Sequence, residues 1–258
     1  MRRLALAALA VVFVYPIGRS AWSSVRAGDS FTLGNYRKLA TYGEGVGTYL
    51  TNTVVLVALT VAGTLLVATL AGYAFSRFAF PGRGLLFALV LAILMVPYPT
   101  ILIPLYVLLG ELGLQDSLVG LALVMVMFQL PFAVFMMRNA FEAVPRTLDD
   151  AARVDGCGSL RTLVRVLLPL VAPGLVTVGL FAFLASWNDY VAPLILISSG
   201  DKLPLPVAVV NMRVHNFGAV DYPVMQAGVM FMAVPCLILF LALQRFYVRG
   251  FMTGALRG

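Results

Sequence analysis

The sequence predicts an all-α membrane protein, with six transmembrane helices and a charged helical loop on the inner side, forming one domain over residues 1–258. Three observations lead there. Hydrophobic residues make up 61% of the chain and its mean hydropathy is +0.97, well above the roughly 45–50% apolar usage of soluble domains. Several apolar runs approach or exceed the ~20 residues needed to cross about 30 Å of hydrocarbon. Charge is scarce but concentrated: nine of the 29 charged residues lie between Arg138 and Arg165.

In chain order the predicted spans are 4–22, 49–75, 84–109, 117–137, 172–197 and 224–246. The first is the weakest, because "MRR" before "LALAALAVVFVYPI" also reads as a signal peptide, with a small-x-small pattern at Gly18-Arg19-Ser20. Prolines inside the later spans (Pro97, Pro99, Pro104, Pro131, Pro173, Pro235) argue for kinked helices, which bilayers tolerate when neighbouring groups satisfy the freed backbone. No alternation of ten-residue segments suggests a barrel.

With the N-terminus inside, twelve Lys and Arg fall on inner segments and six on outer ones (Arg19, Arg26, Arg37, Lys38, Lys202, Arg213). That asymmetry places both termini in the cytoplasm. It also explains the net charge of +7 without invoking nucleic acid.

Residues 138–171 are then the longest inner loop. At roughly 3 kcal/mol per charge near the bilayer centre, its nine charges exclude it from hydrocarbon. Thr147-Leu148-Asp149-Asp150 fits a capping box with an acid in the last place, and the acids suit the positive end of a helix dipole. Leu148, Ala151, Ala152 and Asp155 share one narrow helical face. Gly156 sits where a helix ends in a left-handed residue. Ser159 then caps a second short helix, with Leu160, Leu163, Val164 and Leu167 along one side, ending before Pro169. Two short helices about a glycine turn, with small residues and paired charges, make a docking knob for a soluble partner. On the residues alone, an amphipathic hairpin lying on the membrane surface explains the loop equally well.

"DAARVDGCGSLRTLVRVLLPLVAPG" resembles the EAA signature of the membrane subunits of ABC importers, which runs Glu-Ala-Ala, three residues, Gly, nine residues, Ile, one residue, Leu-Pro. Here it reads Asp150-Ala151-Ala152, Gly156, Val166, Leu168-Pro169, with Asp for Glu and Val for Ile. "AGYAFSRFAFPGR", "ILIPLYVLLGELGLQDS", "SWNDYVAPLI", "LPLPVAV" and "RFYVRGFMTGALRG" are similar to carbohydrate importer permeases of the maltose-type, binding-protein-dependent family, a likeness covering nearly the whole chain. The resemblance implies the type I importer permease fold, with the first span retained. It implies that Leu148, Asp150, Ala151, Ala152, Asp155, Gly156, Leu168 and Pro169 couple to a separate ATPase. It also implies the assembly: a second permease subunit as heterodimer partner, two nucleotide-binding ATPase subunits and an extracytoplasmic sugar-binding protein, in the lipid bilayer of a prokaryotic inner membrane. The direction of transport rests on the same resemblance.

ATP and Mg are expected in the partner ATPase, with no cofactor bound by this chain. No G-x-x-x-x-G-K-[ST] phosphate loop is present, and "GEGVG" (Gly43–Gly47) reads as a turn. Sugars call for amides, carboxylates and aromatic faces, so the candidate substrate path is Asn52, Gln129, Trp187, Asn188 and Asp189. Each has a plainer explanation: an interhelical hydrogen bond for Asn52 and Gln129, an interfacial aromatic belt for Trp187 and Tyr190, a solvated or packing acid for Asp189. His215, the only histidine, is expected to be solvated. Cys157 and Cys236 show neither metal-ligand spacing nor a disulfide framework. Nothing reads as catalytic. Two alternatives stand beside the sugar importer: a secondary transporter, which would need an acidic ion-coupling group at a span centre, and an importer for a sugar-like cargo such as glycerol phosphate.

Overall fold

Helices form where the apolar runs lie, and breaks fall where prolines and glycines remove a donor or a side chain. The computed structural model describes residues 2–28, 30–212 and 221–255, and His215 lies outside them. The order begins α1 (Arg2–Ser24), a two-residue hairpin β1 (Arg26–Ala27) and β2 (Ser30–Phe31), α2 (Gly34–Ala40) and α3 (Val46–Arg77). The middle of the chain is α4 (Arg83–Ala92), α5 (Tyr98–Glu111), α6 (Leu118–Glu142) and α7 (Thr147–Val154). It closes with α8 (Ser159–Thr162), α9 (Leu168–Leu170), α10 (Ala172–Asn188), α11 (Val191–Leu196), α12 (Leu205–Asn211) and α13 (Tyr222–Ala255).

Among the described residues, α3, α6 and the Tyr222–Ala242 part of α13 are each long and apolar enough to cross a bilayer. Two further candidates are bent pairs. Arg83–Met95 meets Tyr98–Glu111 at 104°, because Pro97 forces Val96 before it into an extended conformation (φ −82°, ψ 123°). The prediction of one kinked helix over 84–109 thus resolves into two helices. Ser159–Leu170 meets Ala172–Asn188 at 81°. The second loop helix does not stop before Pro169: helical backbone passes from the π-helical turn Leu163–Leu167 directly into Leu168–Leu170. The predicted span 172–197 ends as a helix at Asn188; Asp189 is extended and α11 starts afresh.

Two compact units divide the chain, Met1–Thr53 with Ser198–Leu241, and Val54–Ile197 with Ala242–Gly258. In the first, Leu39, Tyr49, Leu205, Ala208, Met225 and Ala227 form the buried centre. Asn35 braces the hairpin by donating from Nδ2 to the carbonyls of Ser24 and Arg26 at 2.9 and 2.8 Å. An exposed ion pair joins Lys38 to Asp221 at 3.0 Å.

In the second unit α6 is the central helix, buried along much of its length from Gly120 to Phe141. Small residues let its neighbours come close, the usual basis of helix packing in lipid. A Cβ on Gly72 of α3 would stand 2.6 Å from Met137 Cβ and 2.8 Å from the Arg138 nitrogen. One on Gly174 of α10 would stand 2.9 Å from Ala140 Cβ. Tyr73, Met137, Phe141, Val144, Leu163 and Leu167 fill the end of this core nearest α7 and α8.

Candidate functional site

The charged loop is built from both helices that flank it. At the end of α6, Arg138 pairs with Glu142 at 2.9 Å and lies over the Phe87 ring, 4.1 Å from its centre. After Pro145 the chain turns into α7, whose first turn carries Asp149 and Asp150. The expected capping box does not form. Arg146 occupies the N-cap, no side chain caps the helix, and Thr147 is already its first residue. Nor does Ser159 cap α8, which starts from Gly158 without a side-chain bond. In both places helical backbone begins one residue earlier than a cap at these hydroxyls would need.

The glycine turn is as the spacing requires. Gly156 has φ +76°, and two crossed bonds close α7 behind it: Gly156 N to Arg153 O at 3.0 Å and Cys157 N to Ala152 O at 2.9 Å. These are the paired bonds of a Schellman cap, which only a left-handed residue at this position permits. The predicted face of Leu148, Ala151, Ala152 and Asp155 is split: Ala152 is buried while the other three are exposed. Val154 is 88% exposed and Leu160 68%, so the turn presents apolar side chains among exposed Asp150, Arg153 and Asp155. Beyond it the π-helical turn Leu163–Leu167 buries Leu163 and Leu167 in the core. Leu168 is half-buried against that core, while Pro169 is exposed.

Asp149, not singled out from the sequence, is the inward-facing acid. Its Oδ2 lies 3.2 Å from Arg77 Nε, with side chains 12% and 7% exposed. The Nε–H is not aimed within hydrogen-bond geometry, so this contact is one of charge. Arg77 makes its directed bond from Nη2 to the Val144 carbonyl at 2.9 Å. In return Arg146 Nη2 donates to the Ser76 carbonyl at 3.2 Å, and Tyr73 Oη donates to the Ser159 carbonyl at 3.2 Å. The signal available in the sequence was Arg77 itself, a cation closing a long apolar run and able to reach back to an acid.

The second site follows from the break between α4 and α5. Tyr98, just past Pro97, donates its hydroxyl to Asp189 Oδ2 at 2.5 Å and accepts from the Ala192 amide at 3.1 Å. Asp189 Oδ1 also accepts from Ala192 N, at 3.0 Å, holding the first turn of α11. Next to this network lies a cavity of about 370 Å³ lined by Val96, Tyr98, Phe128, Gln129, Pro131 and Asp189. Its size is within the range of small-ligand pockets.

The five substrate-path candidates separate. Gln129 and Asp189 line this cavity together, joined by Tyr98, which the sequence reading missed for want of a signal pairing it with "SWNDY". Trp187 is buried (3% exposed) and stacked on Phe183 at 5.4 Å, so it belongs to packing and not to an interfacial belt. Asn188 is exposed and donates to Leu184 O at 2.8 Å. Asn52 lies in the other unit, where Nδ2 donates to the carbonyls of Asp201 and Leu203 at 2.7 and 3.1 Å. It is bound to a loop, not to a neighbouring helix.

The long apolar helices and the proline-broken pairs define a helical membrane protein. Residues 64–251 match the family of binding-protein-dependent transport system inner membrane components, and the chain belongs to that family. It is 32% identical to the maltodextrin transport system permease protein MdxG of Bacillus subtilis (strain 168), across 99% of this chain and 95% of that one. Identity is also 32% to the arabinooligosaccharides transport system permease protein AraQ of Halalkalibacterium halodurans, covering 89% and 81%. Its fold is similar to a chain in the crystal structure of a bacterial ABC transporter involved in the import of the acidic polysaccharide alginate, with TM-score 0.82, 23% identity and 95% of each chain covered. These relatives are named as permeases, and this chain is a transporter's membrane subunit, not an enzyme.

Proposed function

We propose that the chain is one permease subunit of an ATP-driven, binding-protein-dependent sugar importer of the prokaryotic inner membrane, with both termini cytoplasmic. The observation that carries this reading is the loop at residues 138–171. It is a glycine-closed turn with Asp150, Val154, Asp155 and Leu160 facing outward, rooted by Asp149 against Arg77 of α3. Apolar tips ringed by charge suit a cleft in a soluble protein better than a flat membrane surface. Because the chain belongs to a family of transport-system membrane components, that protein is, in this reading, a separate ATPase subunit holding ATP and Mg.

In this reading, closure of two such ATPase subunits around ATP displaces the loops of this chain and of a second permease subunit. Their helices then swing between inward- and outward-open arrangements, and an extracytoplasmic binding protein delivers cargo to the outer loops. The cavity beside Tyr98, Gln129 and Asp189 lies on the path of the sugar. It offers an amide, a carboxylate and aromatic faces, and among the described residues no Lys or Arg lines it. That lining suits a neutral polyol and disfavours a phosphate-bearing cargo such as glycerol phosphate. The names of MdxG and AraQ point to oligosaccharides.

The test is gentle detergent purification of the tagged chain from its native membrane, with co-purifying proteins identified by mass spectrometry. A phosphate-loop ATPase and a second multi-span subunit are expected. Recovery of the chain alone would overturn the proposal.

A further inference from the structure

Three acids stand close together on α7 and its cap, yet they are not equivalent. Asp150 and Asp155 are exposed, whereas Asp149 is buried against Arg77, the last residue of α3. The contact belongs to a larger seam. Within one helical turn, α3 meets the loop before α7 through Arg77 on the Val144 carbonyl and Arg146 on the Ser76 carbonyl. It meets α7 itself through Asp149. It meets the chain past Gly156 through Tyr73 on the Ser159 carbonyl.

We propose that Arg77 and Asp149 are a positioning pair that makes the inner loop and α3 move as one piece, so that displacement of the loop becomes motion of a transmembrane helix. This rests on the proposed function. What the pair adds is stiffness. An apolar contact can slide by an ångström at little cost, but two opposite charges taken out of water cannot part without leaving each uncompensated. The planar guanidinium also fixes direction, because its second arm is committed to Val144 O. Behind the pair α3 can act as a rod: it runs 32 residues without an internal proline, whereas α5 and α6 carry Pro104 and Pro131. Buried pairs contribute little net stability, so coupling accounts for the pair better than stability does.

The experiment uses the complete transporter, purified with its partner subunits and binding protein, in liposomes. It measures sugar uptake per ATP hydrolysed for Asp149→Asn, for Asp149→Glu, and for the double variant Arg77→Met/Asp149→Leu, which keeps packing without charge. The expected result is assembly with the ATPase at the wild-type level in Asp149→Glu and in the double variant, which leave no buried charge unpaired. Uptake per ATP should fall about tenfold in Asp149→Asn and in the double variant, a typical coupling between sites, and be largely restored in Asp149→Glu. If the double variant assembles and keeps wild-type uptake per ATP, the proposal is overturned while the importer reading stands. A wild-type chain with no associated ATPase overturns both.

Discussion

The two ends of α3 hold their loops by different chemistry. Near its start, neutral side chains grip backbone: Asn52 takes two carbonyls of residues 201–203, and Thr53 Oγ1 accepts from the Leu205 amide at 2.8 Å. At its last turn the grip centres on a buried ion pair. Neutral bonds to backbone fix a loop's shape at about 1 kcal/mol each, and at Asn52, though not at the buried Thr53, losing one leaves groups that water can still reach. A buried charge has no such retreat. The clamp at the start of α3 therefore acts as a fastening, and the ion pair at its end as a joint sensitive to the loss of either half.

Variants that break one end or the other rank this difference. Arg77→Met leaves Asp149 buried without a counter-charge and should be the most damaging, by about 3–5 kcal/mol; thermal melting in detergent should show a large drop in midpoint. Gly72→Val pushes a branched side chain into the α6 backbone at Met137–Arg138 and should cost about 1–3 kcal/mol, read from the same melts. Gly156→Val puts a β-branched residue at φ +76°, a strain of about 1–2 kcal/mol. Its protein should still reach the membrane, but uptake should be lost, because the Schellman turn that shapes the proposed docking surface would open. Asn52→Ala removes two neutral bonds and should cost about 2 kcal/mol at about 1 for each, visible as faster proteolysis near residues 201–203. Asp150→Lys, on a side chain 72% exposed, should change stability by less than about 0.5 kcal/mol while weakening co-purification of the ATPase.

Why some features were legible and others not follows from range. Apolar runs mark helices because span length is set by the bilayer, and α3 and α6 lie where the hydropathy placed spans. The turn at Gly156 was legible because its cap is a local bond pattern within six residues. The inward role of Asp149 was not. Asp149 and Asp150 are adjacent and chemically identical, and what separates them is Arg77, 72 residues earlier in the chain. Tyr98 and Asp189 are likewise 91 residues apart, and Asn52 meets its partners 149 and 151 residues away. Trp187 read as an interfacial aromatic because hydropathy alone does not say which face of a wholly apolar helix is packed. Thr147 and Ser159 had the right composition for caps, but the helices begin a residue too early to use them.

The most direct test of the central claim is uptake of a labelled oligosaccharide into liposomes holding this chain with its co-purified partners, driven either by ATP at the ATPase face or by an imposed proton or sodium gradient. The account predicts uptake that requires ATP and the binding protein and is indifferent to the gradient. Uptake that persists without ATP and collapses with the gradient would contradict it.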